Sequence, residues 1–287
     1  MARSDWKRPT EFSAPMGRRR VAMELSYDGR CYNGWQMQNN AKSVQETLQQ
    51  AIVSLLDDST VEVCGSGRTD SGVHAKGQVA HAEFNDCSIP AKAFLYGLNA
   101  LLPVSIRITR SWDVPADFHA RYSAMAREYR YFAVKGDGRD SFTDGLVTRL
   151  RDIPDIALLN SYAALLVGTH DFTAFASAKD ICPSKFRDIY ESSFSFVQSM
   201  YGDDVLCYRV CGNAFLYHMV RSLVGTMLEM ASNRCTADEF KAVLDSCDRS
   251  RAGKTAPSHG LYLWRVSYDP DEYQWFEERF SGSQVKE

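Results

Sequence analysis

Residues 64–78 read CGSGRTDSGVHAKGQ, a glycine-rich loop between two stretches with the character of strands, at about 60–64 and 78–84. A plain hairpin connection needs two to five residues, and this one is more than twice as long. Surplus loop length on a rigid scaffold is where functional groups tend to lie. The loop has a single carboxylate, Asp70, directly after Arg68 and Thr69. Asp and Thr often cap turns, but the Arg68-Thr69-Asp70 triplet in so permissive a loop favours a functional role.

The loop does not match the phosphate-binding glycine motifs. The third glycine of GxGxxG is replaced by Asp70, and a strand follows where that motif requires a helix. The Lys-Ser/Thr of the P-loop is replaced by Val73-His74. A hydrolytic glycosidase would need two facing carboxylates, and the loop offers one. One ionised aspartate can act as a covalent nucleophile or as a base at a centre whose leaving group departs unaided.

Outward from the loop, apolar periodicity and capping signals predict an ordered series of elements. Ser43 and Glu46 form the pattern of a capping box, and the apolar residues behind them recur at helical spacing. The first half reads as a β-α-β-β-α-β unit, with strands near 21–27, 60–64, 78–84 and 106–113, a helix at 43–56 and a helix after Pro90.

The second half repeats this order. We expect strands at 127–134, 190–198, 204–211 and 261–268, and helices at 155–167 (closed by Gly168), 214–231 and after Thr236. The sequence therefore predicts an α+β fold of two tandem β-α-β-β-α-β units, RRM-like or ferredoxin-like. It predicts mostly antiparallel sheets, with the active site in a cleft between the units. The predicted organisation is a basic arm (1–19), two domains (20–114 and 120–268) and an acidic tail (269–287).

Composition restricts the class of protein. Of 287 residues, 45% are hydrophobic and 24% charged, as in a globular protein with a sizeable core. No apolar run approaches the roughly 20 residues of a membrane helix, and the N-terminus lacks the apolar region of a secretory signal. Eight cysteines without a CxxC pair indicate free thiols in a reducing compartment and give no support for a metal site. We expect a cytoplasmic protein without membrane association.

Charge is uneven along the chain. The net charge is −3, yet residues 107–139 contain seven Arg or Lys against four acids, a local excess of three positive charges. Such a segment suits a polyanion. Arg121, Arg127 and Arg130 are the first candidates for phosphate contacts.

The loop and six further segments of the chain resemble the motifs of one known family. The loop's GRTDSGVHA (67–75) closely resembles the signature of the tRNA pseudouridine synthase A family. Other segments are similar to that family's motifs in the same order: YDGRCYNGWQMQ at 27–38, DFHAR at 117–121, REYRY at 127–131, HDFTAF at 170–175, NAFLYHMVR at 213–221 and GLYL at 260–263. Tyr217 replaces a more usual histidine. The resemblance spans roughly residues 20–268.

The resemblance implies an enzyme that isomerises uridine to pseudouridine at positions 38–40 of the tRNA anticodon arm, without metal or cofactor. It implies Asp70 as the catalytic nucleophile or base, Tyr129 stacked on the flipped uracil and Arg221 paired with Asp70. It also implies that Arg68 fills the gap left by the base, and that the protein is a homodimer. Tyr131 shares a strand face with Tyr129 and is an alternative for the stacking role, and Trp35 reads equally as a core or an RNA-contacting residue. Other uridines or RNAs as substrates, or an RNA-binding protein without catalysis, are the alternative functions.

Overall fold

The computed structural model describes residues 17–136, 141–199 and 204–269, and these form ten β-strands and five α-helices. The strands are β1 (Arg18–Tyr27), β2 (Glu62–Gly65), β3 (His74–Asn85), β4 (Ile106–Asp113), β5 (Ala126–Lys135), β6 (Thr148–Leu150), β7 (Gly168–Asp171), β8 (Phe186–Gln198), β9 (Asp204–Gly212) and β10 (Leu261–Ser267). The helices are α1 (Val44–Leu56), α2 (Ala91–Leu101), α3 (Ile156–Ala164), α4 (Met219–Ser232) and α5 (Ala237–Asp245). Most strand pairs are antiparallel, which confirms the predicted α+β class.

One compact unit contains residues 17–124 and Tyr262–Tyr268. Its sheet is built around β1, which pairs antiparallel with β4 on one side and β3 on the other. The other edge of β3 pairs antiparallel with β2 at its C-terminal half, and parallel with β10 at His74 and Ala75. Because β1 is paired along both edges, its last residue, Tyr27, has a well-determined backbone position.

The helices of this unit form where local signals and an apolar stripe agree. The Ser43 side chain accepts a hydrogen bond from the Glu46 amide at the N-terminus of α1, satisfying one of the amides that a helix leaves free. The buried stripe of α1 is Val44, Leu48 and Ile52, and that of α2 includes Phe94 and Leu98. The predicted bounds of α1 and β4 are confirmed to within a residue.

The other unit is Met125–Leu261. Its antiparallel strands follow the order β5-β9-β8-β7, with β6 parallel to β5. Among its helices α4 has many buried residues, including Met219, Leu223 and Met227. The complete capping box of α5 joins Thr236 and Glu239, as predicted.

Several boundaries differ from the prediction. Strand β1 begins at Arg18, so the last residues assigned to the basic arm belong to the sheet. Helix α3 ends at Ala164, and Gly168 begins β7 with a φ of +119° instead of closing the helix. Helix α4 begins at Met219. Strands β6 and β7 were not predicted.

Residues 1–16 of the predicted arm, and all of the predicted acidic tail except Asp269, lie outside the described residues. In the part of the chain that the structure describes, none of the helices combines the length and apolarity that crossing a bilayer requires.

Candidate active site

The connection between β2 and β3 is residues 66–73, here named the aspartate loop. Its base is closed by polar contacts to β3. The Ser66 amide donates to the Val79 carbonyl at 2.7 Å, and the Ser66 hydroxyl donates to Gln78 Oε1 at 2.5 Å. Gln78, whose side chain is fully buried, donates from Nε2 to the Gly67 carbonyl at 2.9 Å. The loop is shorter than predicted because β3 begins at His74, ahead of the polar residues that look like loop.

The tip of the aspartate loop alternates between solvent and core. Arg68 is exposed, Thr69 is buried and Asp70 is half-buried. The Val73 amide donates to the Asp70 carbonyl at 3.1 Å, which fixes the backbone after the aspartate. An exposed arginine and a half-buried aspartate therefore lie on either side of a buried threonine.

Residues 27–35, the support segment, pack against the aspartate loop. The Trp35 amide donates to the Thr69 carbonyl at 3.1 Å, and Tyr27 and Thr69 join their hydroxyls at 2.7 Å. A Cβ at Gly34 would overlap the Thr69 carbonyl, and Gly34 has a φ of +86°. Trp35 is 2% exposed and packs on Gly65, so its role is in the core.

His74 joins the end of the aspartate loop to the same segment. Its ring is 1% exposed, accepts the Gly29 amide at Nδ1 (3.1 Å) and stacks on Tyr262 with centroids 4.6 Å apart. Asp28 Oδ1 lies 3.4 Å from the same nitrogen. Burial acts to raise the pKa of Asp28, but hydrogen bonds from Arg30 outweigh it, and the pKa lies below its usual value. Asp28 is therefore a carboxylate that orders the first residues of the support segment.

Tyr129 and Arg221 belong to the other unit. Tyr129 is 8% exposed and meets the Phe215 ring edge-on, with centroids 5.1 Å apart. Arg221 lies on α4, and its Nε donates to the Ala256 carbonyl at 2.8 Å. That bond fixes the side chain at Nε, an anchor that an arginine merely lying along an apolar stripe does not need.

The alternative stacking residue, Tyr131, is placed for a structural role. Its hydroxyl lies 2.6 Å from the Thr148 hydroxyl and donates to the Pro257 carbonyl at 3.1 Å. Burial raises the pKa of Tyr131 to about 12. Its hydroxyl is engaged twice and the residue is 2% exposed, which favours Tyr129 for the stacking role.

The three arginines predicted to contact phosphate differ in placement. Arg121 is exposed, with its guanidinium 5.5 Å from the centre of the Tyr122 ring. Arg127 is 9% exposed and donates to the Asn213 carbonyl at 2.7 Å, a placement that favours a structural role over phosphate contact. Arg130 is 28% exposed and donates to the buried carboxylate of Glu128 at 2.7 Å. Of the three, Arg121 has the placement of a phosphate ligand.

Among the described residues, Cys64, His81 and His119 bring their ligand atoms within 4.8 Å of one another. Both imidazoles accept backbone amides at Nδ1, from Ala120 to His81 and from Arg121 to His119, each at 3.1 Å. A neutral imidazole that accepts at Nδ1 carries its proton on Nε2, so neither ring offers a lone pair there to a cation. The arrangement fits a hydrogen-bonded core cluster, with His119 Nε2 lying 3.6 Å from the Cys64 thiol.

Sequence reasoning gave no role to Tyr27, His74 or Gln78, although all three lie in or beside the quoted motifs. Their contacts are with residues distant in the chain, so neither periodicity nor loop length could reveal them. The signal that could have found them was their polar character at positions expected to be buried.

Known proteins are similar in sequence to this chain over most of its length. A family model described as tRNA pseudouridine synthase matches residues 24–123 and 162–269, which include Asp70 and Arg221. The tRNA pseudouridine synthase A of Bacillus pumilus (strain SAFR-032) is 42% identical over 251 residues, covering 87% of this chain and 99% of that protein. The tRNA pseudouridine synthase A of Bacillus subtilis (strain 168) is 41% identical over the same length and the same shares.

A solved structure of a Cbf5-Nop10-Gar1 complex is 13% identical and covers 91% of this chain and 66% of its own, with a TM-score of 0.33, too low to support an argument about fold. The assignment therefore depends on the family model and on the identity to relatives matched over almost their full length. On those grounds the chain belongs to the tRNA pseudouridine synthase family.

Proposed function

We propose that this protein isomerises uridine to pseudouridine in tRNA, with Asp70 as the catalytic residue. The observation that carries the proposal is the placement of Asp70. It is half-buried at the tip of a loop whose neighbouring backbone is fixed on both sides, within a chain of this family. A carboxylate held on a rigid support is the arrangement that positioned chemistry requires.

The reaction accounts for a site with one carboxylate. The bond between N1 of uracil and C1′ of the ribose breaks, the base turns within the pocket, and a bond from C5 to C1′ forms. C5 then loses a proton and N1 gains one, so atoms and electrons balance without a co-substrate. Asp70 acts either as a covalent nucleophile or as a base that removes a proton. The leaving group is retained, so no water need be activated.

The further roles follow the family resemblance. Tyr129 stacks on the uracil, Arg221 pairs with Asp70, and Arg68 occupies the space that the flipped base leaves. Arg121 and the partly exposed Arg130 contact phosphates. Arg127, which is buried, supports the strand that carries Tyr129.

The proposal extends to positions 38–40 of the anticodon arm, and to two repeats of the β-α-β-β-α-β order with the site in a cleft between them. It also extends to a homodimer in the cytoplasm. A light-scattering mass equal to one chain of 32.3 kDa would contradict the homodimer.

The test is conversion of an unmodified tRNA transcript in the presence of EDTA, with pseudouridine mapped base by base. Wild-type protein should convert uridines at positions 38–40, and Asp70→Asn should be slower by at least ~10⁴, because no neighbouring group supplies an anionic oxygen. Binding of tRNA should change by less than about 1 kcal/mol, since phosphate contacts and base flipping do not require the carboxylate.

Asp57→Asn is the matched control. Asp57 is exposed and ends α1 with a φ of 51°, a left-handed conformation that asparagine adopts readily, so turnover should be unchanged. Substantial conversion by Asp70→Asn would assign the chemistry to another residue. Conversion at other positions would change the substrate, and tRNA binding without any conversion would favour the non-catalytic alternative.

A further inference from the structure

A buried pair of hydroxyl groups lies directly beside the catalytic aspartate. The hydroxyls of Tyr27 and Thr69 are 2.7 Å apart, and the two residues are 4% and 7% exposed. Either hydroxyl can be the donor. A hydrogen bond formed away from water is costly to lose, because the group left behind stays buried.

The backbone of Thr69 is held as well as its side chain. Its carbonyl accepts the Trp35 amide at 3.1 Å, and the carbonyl of the next residue, Asp70, accepts the Val73 amide at 3.1 Å. The backbone on each side of the Asp70 Cα is therefore held by a hydrogen bond. The hydroxyl pair adds a third anchor, which keeps the Thr69 side chain buried between the exposed Arg68 and the half-buried Asp70.

Tyr27 is well suited to hold such an anchor. It is the last residue of β1, and it pairs with Ala75 of β3 on one side and Ile106 of β4 on the other. A site positioned from paired strands is held more accurately than a site positioned from loops alone.

We infer that Tyr27 is a positioning residue for the isomerisation: its hydroxyl holds Thr69, and through Thr69 sets the direction of the Asp70 carboxylate. Because Tyr27 is 4% exposed, it acts through Thr69 rather than on the substrate. The inference depends on the proposed role of Asp70 and adds to it the group that orients the carboxylate. A small misplacement of a reacting group slows the chemical step far more than it weakens binding.

The experiment compares kcat and KM for an unmodified tRNA in Tyr27→Phe, Thr69→Val, the double variant and Thr69→Ser. We expect kcat to fall roughly 10- to 100-fold in Tyr27→Phe and in Thr69→Val, with KM within about twofold of wild type. The double variant should be no slower than the slower single variant, because both substitutions remove the same bond. Thr69→Ser keeps a hydroxyl and should recover most of the rate.

Tyr208→Phe is the matched control. Tyr208 is 1% exposed, and its hydroxyl lies 2.9 Å from that of Ser192 in the other unit. The substitution removes a partly buried hydroxyl pair far along the chain from Asp70, so kcat should stay within about twofold of wild type. An equal loss of kcat in Tyr208→Phe would mean that general destabilisation causes the effect, and would overturn the inference.

Two further results would also overturn it: wild-type kcat in Tyr27→Phe, or a Thr69→Ser variant as slow as Thr69→Val. If Tyr27→Phe does not fold, comparing Thr69→Val with Thr69→Ser still shows whether the rate depends on the hydroxyl of residue 69 or only on its packing. Asp70→Asn separates this inference from the function on which it depends. An inactive Asp70→Asn beside a fully active Tyr27→Phe overturns the positioning role alone, whereas an active Asp70→Asn overturns both.

Discussion

At the scale of single residues, His81 links the fold to pH. It is 5% exposed, and its Nδ1 accepts the Ala120 amide. Burial, and then the charges of His119 and Arg20, lower the pKa of His81 from 6.5 to about 3. The unfolded chain therefore binds a proton below pH 6.5 that the folded chain does not bind until about pH 3. The folded state therefore keeps its full stability with respect to His81 above pH 6.5 and loses stability as the pH falls below that value.

We expect the free energy of unfolding to decrease by about 1.4 kcal/mol for each pH unit below 6.5 on account of His81. His119 adds to the same trend, since burial, Arg20 and Arg121 lower its pKa to about 4. Urea unfolding at about pH 7 and about pH 5 measures the slope. His81→Asn places an amide oxygen near the position of Nδ1 but does not titrate, so its slope should be shallower. Equal slopes in the two proteins would contradict the assignment.

At the scale of elements, the contact between the support segment and the aspartate loop depends on Gly34. Gly34→Ala should destabilise the protein by roughly 2–4 kcal/mol, because it adds a left-handed penalty and an overlap with the Thr69 carbonyl. Gly17→Ala separates the two causes. Gly17 has a similar φ of +84° with no atom within 4 Å of an added Cβ, so only about 1 kcal/mol should be lost.

Thermal or urea unfolding of both variants gives the comparison. Similar losses in Gly34→Ala and Gly17→Ala would show that the loop backbone moves aside without cost. In that case the aspartate loop would be far more adaptable than its hydrogen bonds indicate.

The elements that the sequence predicted well are those whose signals are local. Helices α1 and α5 each have a side-chain cap and an apolar stripe within a few residues of it. Helix α4 was predicted to begin several residues early because Phe215 continues its apolar spacing. In the fold Phe215 packs on Tyr129, and the Tyr217 amide donates to Asp180 at 2.6 Å, so long-range contacts hold this stretch out of the helix.

Strands β6 and β7 were missed because segments of three and four residues carry too little alternation to be recognised. Likewise, only part of the candidate site could be predicted from local sequence signals. Asp70 and Arg68 follow from the unusual loop, whereas Tyr129 and Arg221 needed the family resemblance, because a strand tyrosine and a helix arginine are usually structural. Tyr27 could be found only from its distance to Thr69.

At the scale of the whole molecule, a net charge of −3 requires that RNA contacts come from local groups. Arg121→Ala should weaken tRNA binding and lower the dependence of affinity on salt by about one phosphate contact, because Arg121 is exposed. Arg127→Ala should instead lower stability by about 2 kcal/mol, since it breaks a buried bond to the Asn213 carbonyl.

Titration of labelled tRNA at several salt concentrations, together with urea unfolding, separates these outcomes. If Arg121→Ala leaves the salt dependence of affinity unchanged, the phosphate contacts lie elsewhere on the chain. The same holds if Arg127→Ala keeps wild-type stability and reduces the salt dependence more than Arg121→Ala does.

The support segment also has a consequence for engineering. The aspartate loop is held by residues 27–35, which precede it by more than thirty positions, and by Gln78 on the strand that follows it. A loop transplanted alone onto another scaffold would lose its buried hydroxyl bond, its glycine contacts and its closed base. The transferable module is therefore discontinuous in sequence, and chimaeras between relatives should exchange the two segments together.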